Sequence, residues 1–460
     1  MAAVQASGES RSQHTKLRAI EAPVNYSYKQ SFKDWTKHMF WVNDQDVISR
    51  LLSILPFYPK SDGRRTVDIM RIDVGDGNQL QEICIENKEE EGSESTVLAA
   101  DNQDSGSKVK DIVLLHGYAA SWGLFIYNLD SLSSIPGVRV HALDLLGFGH
   151  SSRPKFPKFA HDTEEDIHKV EDWFIDSLEE WRRKRNIEKF VLIGHSFGGY
   201  LSCAYAMKYN KQILDAKTNT ASWLIDKLIL VSPVGVERNV HSLLKNKDAG
   251  AKVSKAEQDV QNRSASELRV SEELTADQEE IVNENVHGSF NSEDHRLLYF
   301  LWKHHYSPFS LIRNVGPLRS KFISQWTTRR FSHIYKQDPN QFQIIHDYIY
   351  TVFNGKGSGE YAITRVLAFG ALARLPLIDR CSEEFVNMSL PTLFLYGDKD
   401  WMNVDAGEEM TKEINRLSQN KIKKDLAECF ILPKAGHHLY LDNPKDFASS
   451  IFRFLGYHHK

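Results

Sequence analysis

The sequence predicts an α/β protein, a mostly parallel sheet with helices on both faces, interrupted by an inserted helical cap. Three observations carry that expectation. From Asp111 onward, short apolar runs alternate with helical stretches, the grammar of a parallel sheet covered on both sides. One strand-to-helix junction reads Gly194-His195-Ser196-Phe197-Gly198. The alternation then stops after residue 235 and resumes at Pro391, so a block of chain is inserted within one sheet.

Composition sets the bounds. The chain's 460 residues suffice for one large domain with a cap or for two ordinary domains. A hydrophobic fraction of 41% and a charged fraction of 26% are those of a soluble globular protein. The net charge of −4 is spread over a long chain and gives no global signal for a nucleic-acid partner. Cys84, Cys203, Cys381 and Cys429 lack CxxC or CxxH spacing, which fits neither a disulfide framework nor a zinc site and points to a reducing compartment. No apolar run approaches the roughly 18 residues that span a bilayer, so membrane contact is expected to be peripheral.

In chain order, residues 1–60 are expected to form an N-terminal tail and a Trp-rich amphipathic arm. The first 20 residues carry Arg11, Lys16 and Arg18 with Glu9 as the sole acid; a disordered tail and a transit peptide are the alternatives. Phe32, Trp35, Phe40, Trp41, Phe57 and Tyr58 crowd the next stretch, and Val47, Ile48, Leu51, Leu52 and Leu55 recur at helical spacing. That stripe suits either a helix packed on the domain or an arm on a membrane surface. Residues 61–235 form the first part of the core. It opens with a hairpin (66–74 and 79–86) at the sheet edge, and the acidic segment 87–110 reads as a solvated loop. DIVLLHG, VRVHALD, KFVLIGH and DKLILV follow as strands, with Ile167, Val170, Trp173, Phe174, Leu178 and Trp181 on one face of a helix between them. Residues 236–375 form the cap, including a flexible charged excursion at 245–294. Residues 376–460 complete the core with PTLFLYG and ECFILP. Within the cap, residues 295–337 contain no Asp or Glu. Arg296, Lys303, Arg313, Arg319, Lys321, Arg329, Arg330 and Lys336 lie there among aromatics. They are either paired with distant carboxylates or presented to anionic head groups, with Arg329 and Arg330 the candidate head-group pair.

G-x-S-x-G between a strand and a helix is the setting of a serine nucleophile, held on a turn that leaves no room for side chains two residues either side. A serine hydroxyl needs a positioned base. His437 follows the glycine turn after the last strand, and His438 is the competing candidate. Asp400, three residues past Gly397, is the expected acid, with Asp398 read as a turn residue. The order Ser, acid, His is that of the α/β-hydrolase fold. Backbone N–H groups of Phe197 and Tyr118 are the expected oxyanion donors, and His116 a structural residue of its turn. His437 and Asp442 also form an H-x4-D pattern, a possible acyltransferase motif. Asn443-Pro444 just beyond reads as a helix start, which lets Asp442 simply end the loop.

These residues resemble a known family. HGYAAS, DLLGFGHSSRP, GHSFGGY, YGDKDWM and AGHHLYLDNP are similar to the α/β-hydrolase branch containing cardiolipin-specific deacylases, lysophosphatidic acid acyltransferases and lipase co-activators. SPFSLIRNVGP, YIYTVFNGKGSGE and FGALARLPLI in the cap are similar to that branch as well. The Trp-containing segment near residues 35–41 resembles the arm by which some members reach membranes or lipid droplets. The resemblance implies a serine hydrolase that removes an acyl chain from a phospholipid, cardiolipin or another anionic one, with no metal or organic cofactor. It leaves open a CoA-dependent acyltransferase using acyl-CoA, or a lipase-regulating interaction protein. The implied location is intracellular and peripheral to membranes, mitochondrial or cytoplasmic.

Overall fold

The computed structural model describes residues 26–41, 43–88, 97–99, 109–159, 161–214, 221–244, 302–307, 309 and 313–459. Its centre is a sheet of β1 (Arg65–Asp73), β2 (Gln79–Asn87), β3 (Asp111–Leu115), β4 (Arg139–Leu143), β5 (Phe190–His195), β6 (Ile225–Val231), β7 (Thr392–Gly397) and β8 (Ala427–Leu432). The strand order is β1-β2-β4-β3-β5-β6-β7-β8. The β1/β2 and β2/β4 pairs are antiparallel and the remaining pairs parallel. This confirms the α/β-hydrolase architecture. Every residue of β3, β5 and β7 is buried, because helices cover both faces, and that is why these strands are unbroken apolar runs. The edge strands β1 and β8 are only partly buried.

The helices on one face include α3 (Glu164–Lys184) and α4 (Phe197–Tyr209), with the helices Leu377–Asn387 and Val404–Ile422 in the same cluster. Thr163 caps α3 through the Asp166 N–H. Three acids in the first turn and three bases in the last complement its dipole. Its apolar stripe is buried as the spacing requires, against the sheet and α4.

The opposite face holds a correction. Val47, Ile48, Leu51 and Leu52 on α2 (Asp44–Leu52), and Leu55 beyond it, are all buried, so this stretch is part of the core and not a membrane arm. The fit is close: a Cβ on Gly123 would lie 2.7 Å from Leu51 Cδ2. The preceding α1 (Tyr28–Trp41) lies on the cap. Ser31 Oγ donates to the Pro317 carbonyl at 2.6 Å and accepts from the Lys321 N–H at 2.9 Å. It leaves Tyr28 67% and Phe32 53% exposed. The tail at 1–25 lies outside the described residues.

Leu228 of β6 pairs with Thr392 of β7, so the cap lies between two neighbouring parallel strands, and the chain returns to the sheet through the core helix Leu377–Asn387. The cap's described helices include α5 (Arg319–Arg330) and α6 (Pro339–Phe353). Arg153, on the loop after β4, fastens α6 by donating to the carbonyls of Val352 (3.0 Å) and Lys356 (3.0 Å). The excursion at 245–294 lies outside the described residues. Most of 87–110 does too, but Val97–Ala99 pairs antiparallel with Tyr457–His459, so that stretch is not purely a solvated loop. No helix among the described residues is long and apolar enough to cross a membrane.

Candidate active site

Strand β5 ends in a backbone turn that only a few residues tolerate. Ser196 sits at φ 52°, ψ −117°, between β5 and α4. Its N–H donates to the Val231 carbonyl (2.8 Å), while its carbonyl accepts from Tyr200. The flanking glycines are sterically required. A Cβ on Gly194 would lie 2.5 Å from the Gly198 carbonyl oxygen, and one on Gly198 would lie 2.4 Å from that of His116. Phe197 is the first residue of α4, where N–H groups have no intrahelical acceptor. Tyr118 follows Gly117, on which a Cβ would come within 3.0 Å of Ser196 Cβ. Both expected oxyanion donors therefore belong to turns that meet at Ser196.

His116 is neutral and structural. Its Nε2 accepts from the Leu145 N–H (3.0 Å), so Nδ1 carries the proton and donates to the Gly117 carbonyl (2.7 Å). Burial pushes its pKa down to about 4.

The structure brings Asp400 and His437 together and separates them from their sequence rivals. His437 Nδ1 lies 3.2 Å from Asp400 Oδ1. Burial pushes the Asp400 carboxyl up. His437, the Ser232 hydroxyl and the Met402 amide together outweigh that and hold it below the ordinary carboxylate range. Asp398 is instead a turn residue, accepting the Ala435 N–H at 2.9 Å. His438 is buried, and desolvation, with Arg330 next, lowers its pKa well below the usual value.

The histidine loop is tied to the Ser196 turn through His195. Its Nε2 donates to the His437 carbonyl at 3.0 Å, and the two rings lie 4.7 Å apart. Two contacts escaped sequence reading. Ser232, at φ 43° just past β6, donates to Asp400 Oδ2. Asp442 does not pair with the His437 imidazole; its Oδ2 accepts the Gly436 N–H (2.8 Å) and its Oδ1 lies 3.3 Å from Arg330 Nη2. The sequence offered the H-x4-D spacing and, in Asn443-Pro444, a helix start that lets Asp442 end the loop; neither names the Gly436 amide or Arg330 as partners.

Arg330, a candidate head-group residue, has its guanidinium engaged by Asp442 and by the His438 carbonyl at 3.2 Å. Arg329 is half-buried and has a partner of its own. Arg313 pairs with Glu360, and Arg319 bonds Asn354. Arg313 and Arg330 thus meet carboxylates distant in sequence. Of the interleaved aromatics, Trp302, Phe309 and Phe331 are buried, whereas Phe322 is 40% exposed. Phe309 is buried 5.8 Å from the Tyr118 ring and stacks on Phe353 at 5.4 Å, which meets Trp326 at 5.8 Å.

Among the described residues, Glu82, Cys84 and His141 form a group with ligand atoms within 4.8 Å of one another. Both His141 nitrogens are already engaged, by Glu82 (2.7 Å) and Asp111 (2.9 Å), so the group reads as a buried ion network. Asp111 starts β3, at the end of that strand away from Gly117 and Ser196.

Residues 111–444 match the family described as the alpha/beta hydrolase fold. The chain is 32% identical over 353 residues to a probable 1-acylglycerol-3-phosphate O-acyltransferase of Oryza sativa subsp. japonica, covering 76% of this chain and 68% of that protein. It is 31% identical over 351 residues to the 1-acylglycerol-3-phosphate O-acyltransferase of Arabidopsis thaliana, covering 76% and 67%. The (lyso)-N-acylphosphatidylethanolamine lipase of Homo sapiens is 25% identical over 343 residues, covering 74% and 77%.

Proposed function

The chain belongs to the α/β-hydrolase fold family, and from that premise we propose that it is a serine hydrolase removing an acyl chain from a phospholipid. The observation that carries this reading is the 3.2 Å contact of His437 Nδ1 with the buried Asp400, on a loop tied to the turn that holds Ser196. His437 takes the Ser196 hydroxyl proton as Oγ attacks the acyl carbonyl, and the N–H groups of Phe197 and Tyr118 hold the oxyanion. The bond to the glycerol oxygen breaks, and His437 returns the proton to that oxygen, releasing lysophospholipid. Water then attacks the acyl-enzyme, passing its proton through His437 to Ser196 Oγ and freeing the fatty acid. Asp400 stays ionised and fixes the imidazole tautomer.

A lipid substrate is supported by the aromatic wall from Tyr118 through Phe309 and Phe353 to Trp326, which suits an acyl chain. The names of the relatives also point to lipid esters. Exposed Tyr28, Phe32, Leu318 and Phe322 lie around the α1–α5 contact with exposed Lys29 and Lys33, and that face supports peripheral docking on a lipid surface. The acyltransferase names favour a second reading, in which the same acyl-enzyme is loaded from acyl-CoA and a lysolipid hydroxyl replaces water.

A fluorophosphonate probe tests the nucleophile. The expected result is one covalent adduct, mapped to Ser196, absent in Ser196→Ala and formed much more slowly in Asp400→Asn. An adduct on another residue overturns the assignment.

A further inference from the structure

We infer that Arg330 and Asp442 are positioning residues that clamp the His437 loop to the cap, making alignment of the histidine depend on cap placement. The inference rests on the reading of His437 as the catalytic base. Three consecutive backbone groups of that loop are each held by a side chain. Asp442 takes the Gly436 N–H (2.8 Å), His195 holds the His437 carbonyl (3.0 Å), and Arg330 donates to the His438 carbonyl (3.2 Å). His195 and Asp442 belong to the core, whereas Arg330 is the last residue of cap helix α5. The Arg330–Asp442 contact (3.3 Å) closes the set, so one carboxylate joins the cap to the residue before His437 while its partner grips the residue after. The two side chains are 22% and 24% exposed, so the pair is largely shielded from solvent.

The arrangement does not bind the imidazole; it fixes the backbone from which the imidazole projects. A loose loop leaves the Asp400 contact intact in type but misaligned, and a misplacement near 1 Å costs roughly 100-fold in rate. The fixed charge has a second consequence. Desolvation lowers the pKa of both His195 and His438 well below the usual value, with His437 and more weakly Arg330 adding to it at His195 and Arg330 at His438. Helix α5 also has reach. Its start, beside α1, carries exposed Leu318 and Phe322, and its end carries Arg330, about 18 Å away at 1.5 Å per residue. The face that suits a lipid surface and the histidine loop are thus joined by one rigid element.

A double-mutant cycle on the full-length protein tests the clamp, using Arg330→Met, Asp442→Asn, their combination and Arg330→Lys, with a soluble short-chain ester as substrate. Each single change is expected to lower kcat about 10- to 100-fold with KM changed less than about threefold. The double variant should be no worse than the poorer single, because both remove one device. Arg330→Lys, which keeps one donor, should recover part of kcat, and melting temperatures should not fall in proportion to kcat. Additive losses, a change confined to KM, or kcat tracking thermal stability would each overturn the clamp. Ser196→Ala in the same assay separates the two readings. If it is inactive while the cycle is additive, the clamp alone fails; if it stays active, the triad and the clamp fall together.

Discussion

Asp398 and Asp400 stand two residues apart and face opposite demands. Asp398 is spent on a turn, its carboxylate accepting the Ala435 amide in solvent. Asp400 is buried against Ser232, the Met402 amide and His437. Replacing Asp400 with Asn should lower kcat on a soluble ester by about 10⁴-fold, through loss of the correct histidine tautomer. Asp398→Asn should leave kcat within a few-fold. Steady-state kinetics of the two variants checks this, and equal losses would contradict the assignment. The pH sign also follows. The folded Asp400 carboxyl is depressed, so its contribution to stability is present above the unfolded value of about 3.9 and is lost as pH falls below it. Spacing from Gly397 singled out Asp400, but nothing in the sequence marked Ser232, because a hydroxyl that orients a carboxylate leaves no periodic signature.

At the level of the element, α1 and α2 adjoin in sequence yet differ in fate. Leu51 is 1% exposed, and Leu51→Ala should destabilise the protein by about 2–5 kcal/mol in urea unfolding. Phe32→Ser on the exposed face of α1 should leave that midpoint nearly unchanged and weaken binding to anionic vesicles. A large stability loss from Phe32→Ser would place that residue in the core instead. A second element-level feature is the buried network across β2, β3 and β4. Burial alone would lower the His141 pKa, but hydrogen bonds with Asp111, Cys84 and Glu82 outweigh it and raise it to about 10. A raised histidine contributes fully below the unfolded value of about 6.5, and the contribution is lost as pH rises towards 10. Urea unfolding at pH 7 and pH 9.5 should therefore show an alkaline loss in the native protein that is smaller in His141→Gln. Parallel losses in both would show that His141 does not carry it.

Across the whole molecule, what could be read in the sequence and what could not divide along one physical line. Local constraints were legible. Strands buried on both faces must be largely apolar, as in DIVLL and TLFLYG, and the turn at Ser196 must have glycines at 194 and 198. Choices of tertiary partner were not. Arg330 finds Asp442 across more than a hundred residues, and Arg313 finds Glu360, so two of the cations in a stretch free of acids in sequence meet carboxylates in space. Reversing Arg329 and Arg330 together should accordingly depress turnover of a small neutral ester, because the change reaches the His437 loop. The aromatic residues between them turned inward to form a wall near Tyr118, and only Phe322 among Phe309, Phe322, Trp326 and Phe331 is well exposed. The central claim, that water is the acyl acceptor of a Ser196 acyl-enzyme, is tested most directly by mass spectrometry of products from phospholipid vesicles. Native and Ser196→Ala proteins are compared with and without acyl-CoA and lysophosphatidic acid. The account expects lysophospholipid and free fatty acid without CoA, falling by at least about 10⁴-fold in Ser196→Ala. Acylated product formed only with acyl-CoA, with no fatty acid released and with Ser196→Ala still active, would contradict it.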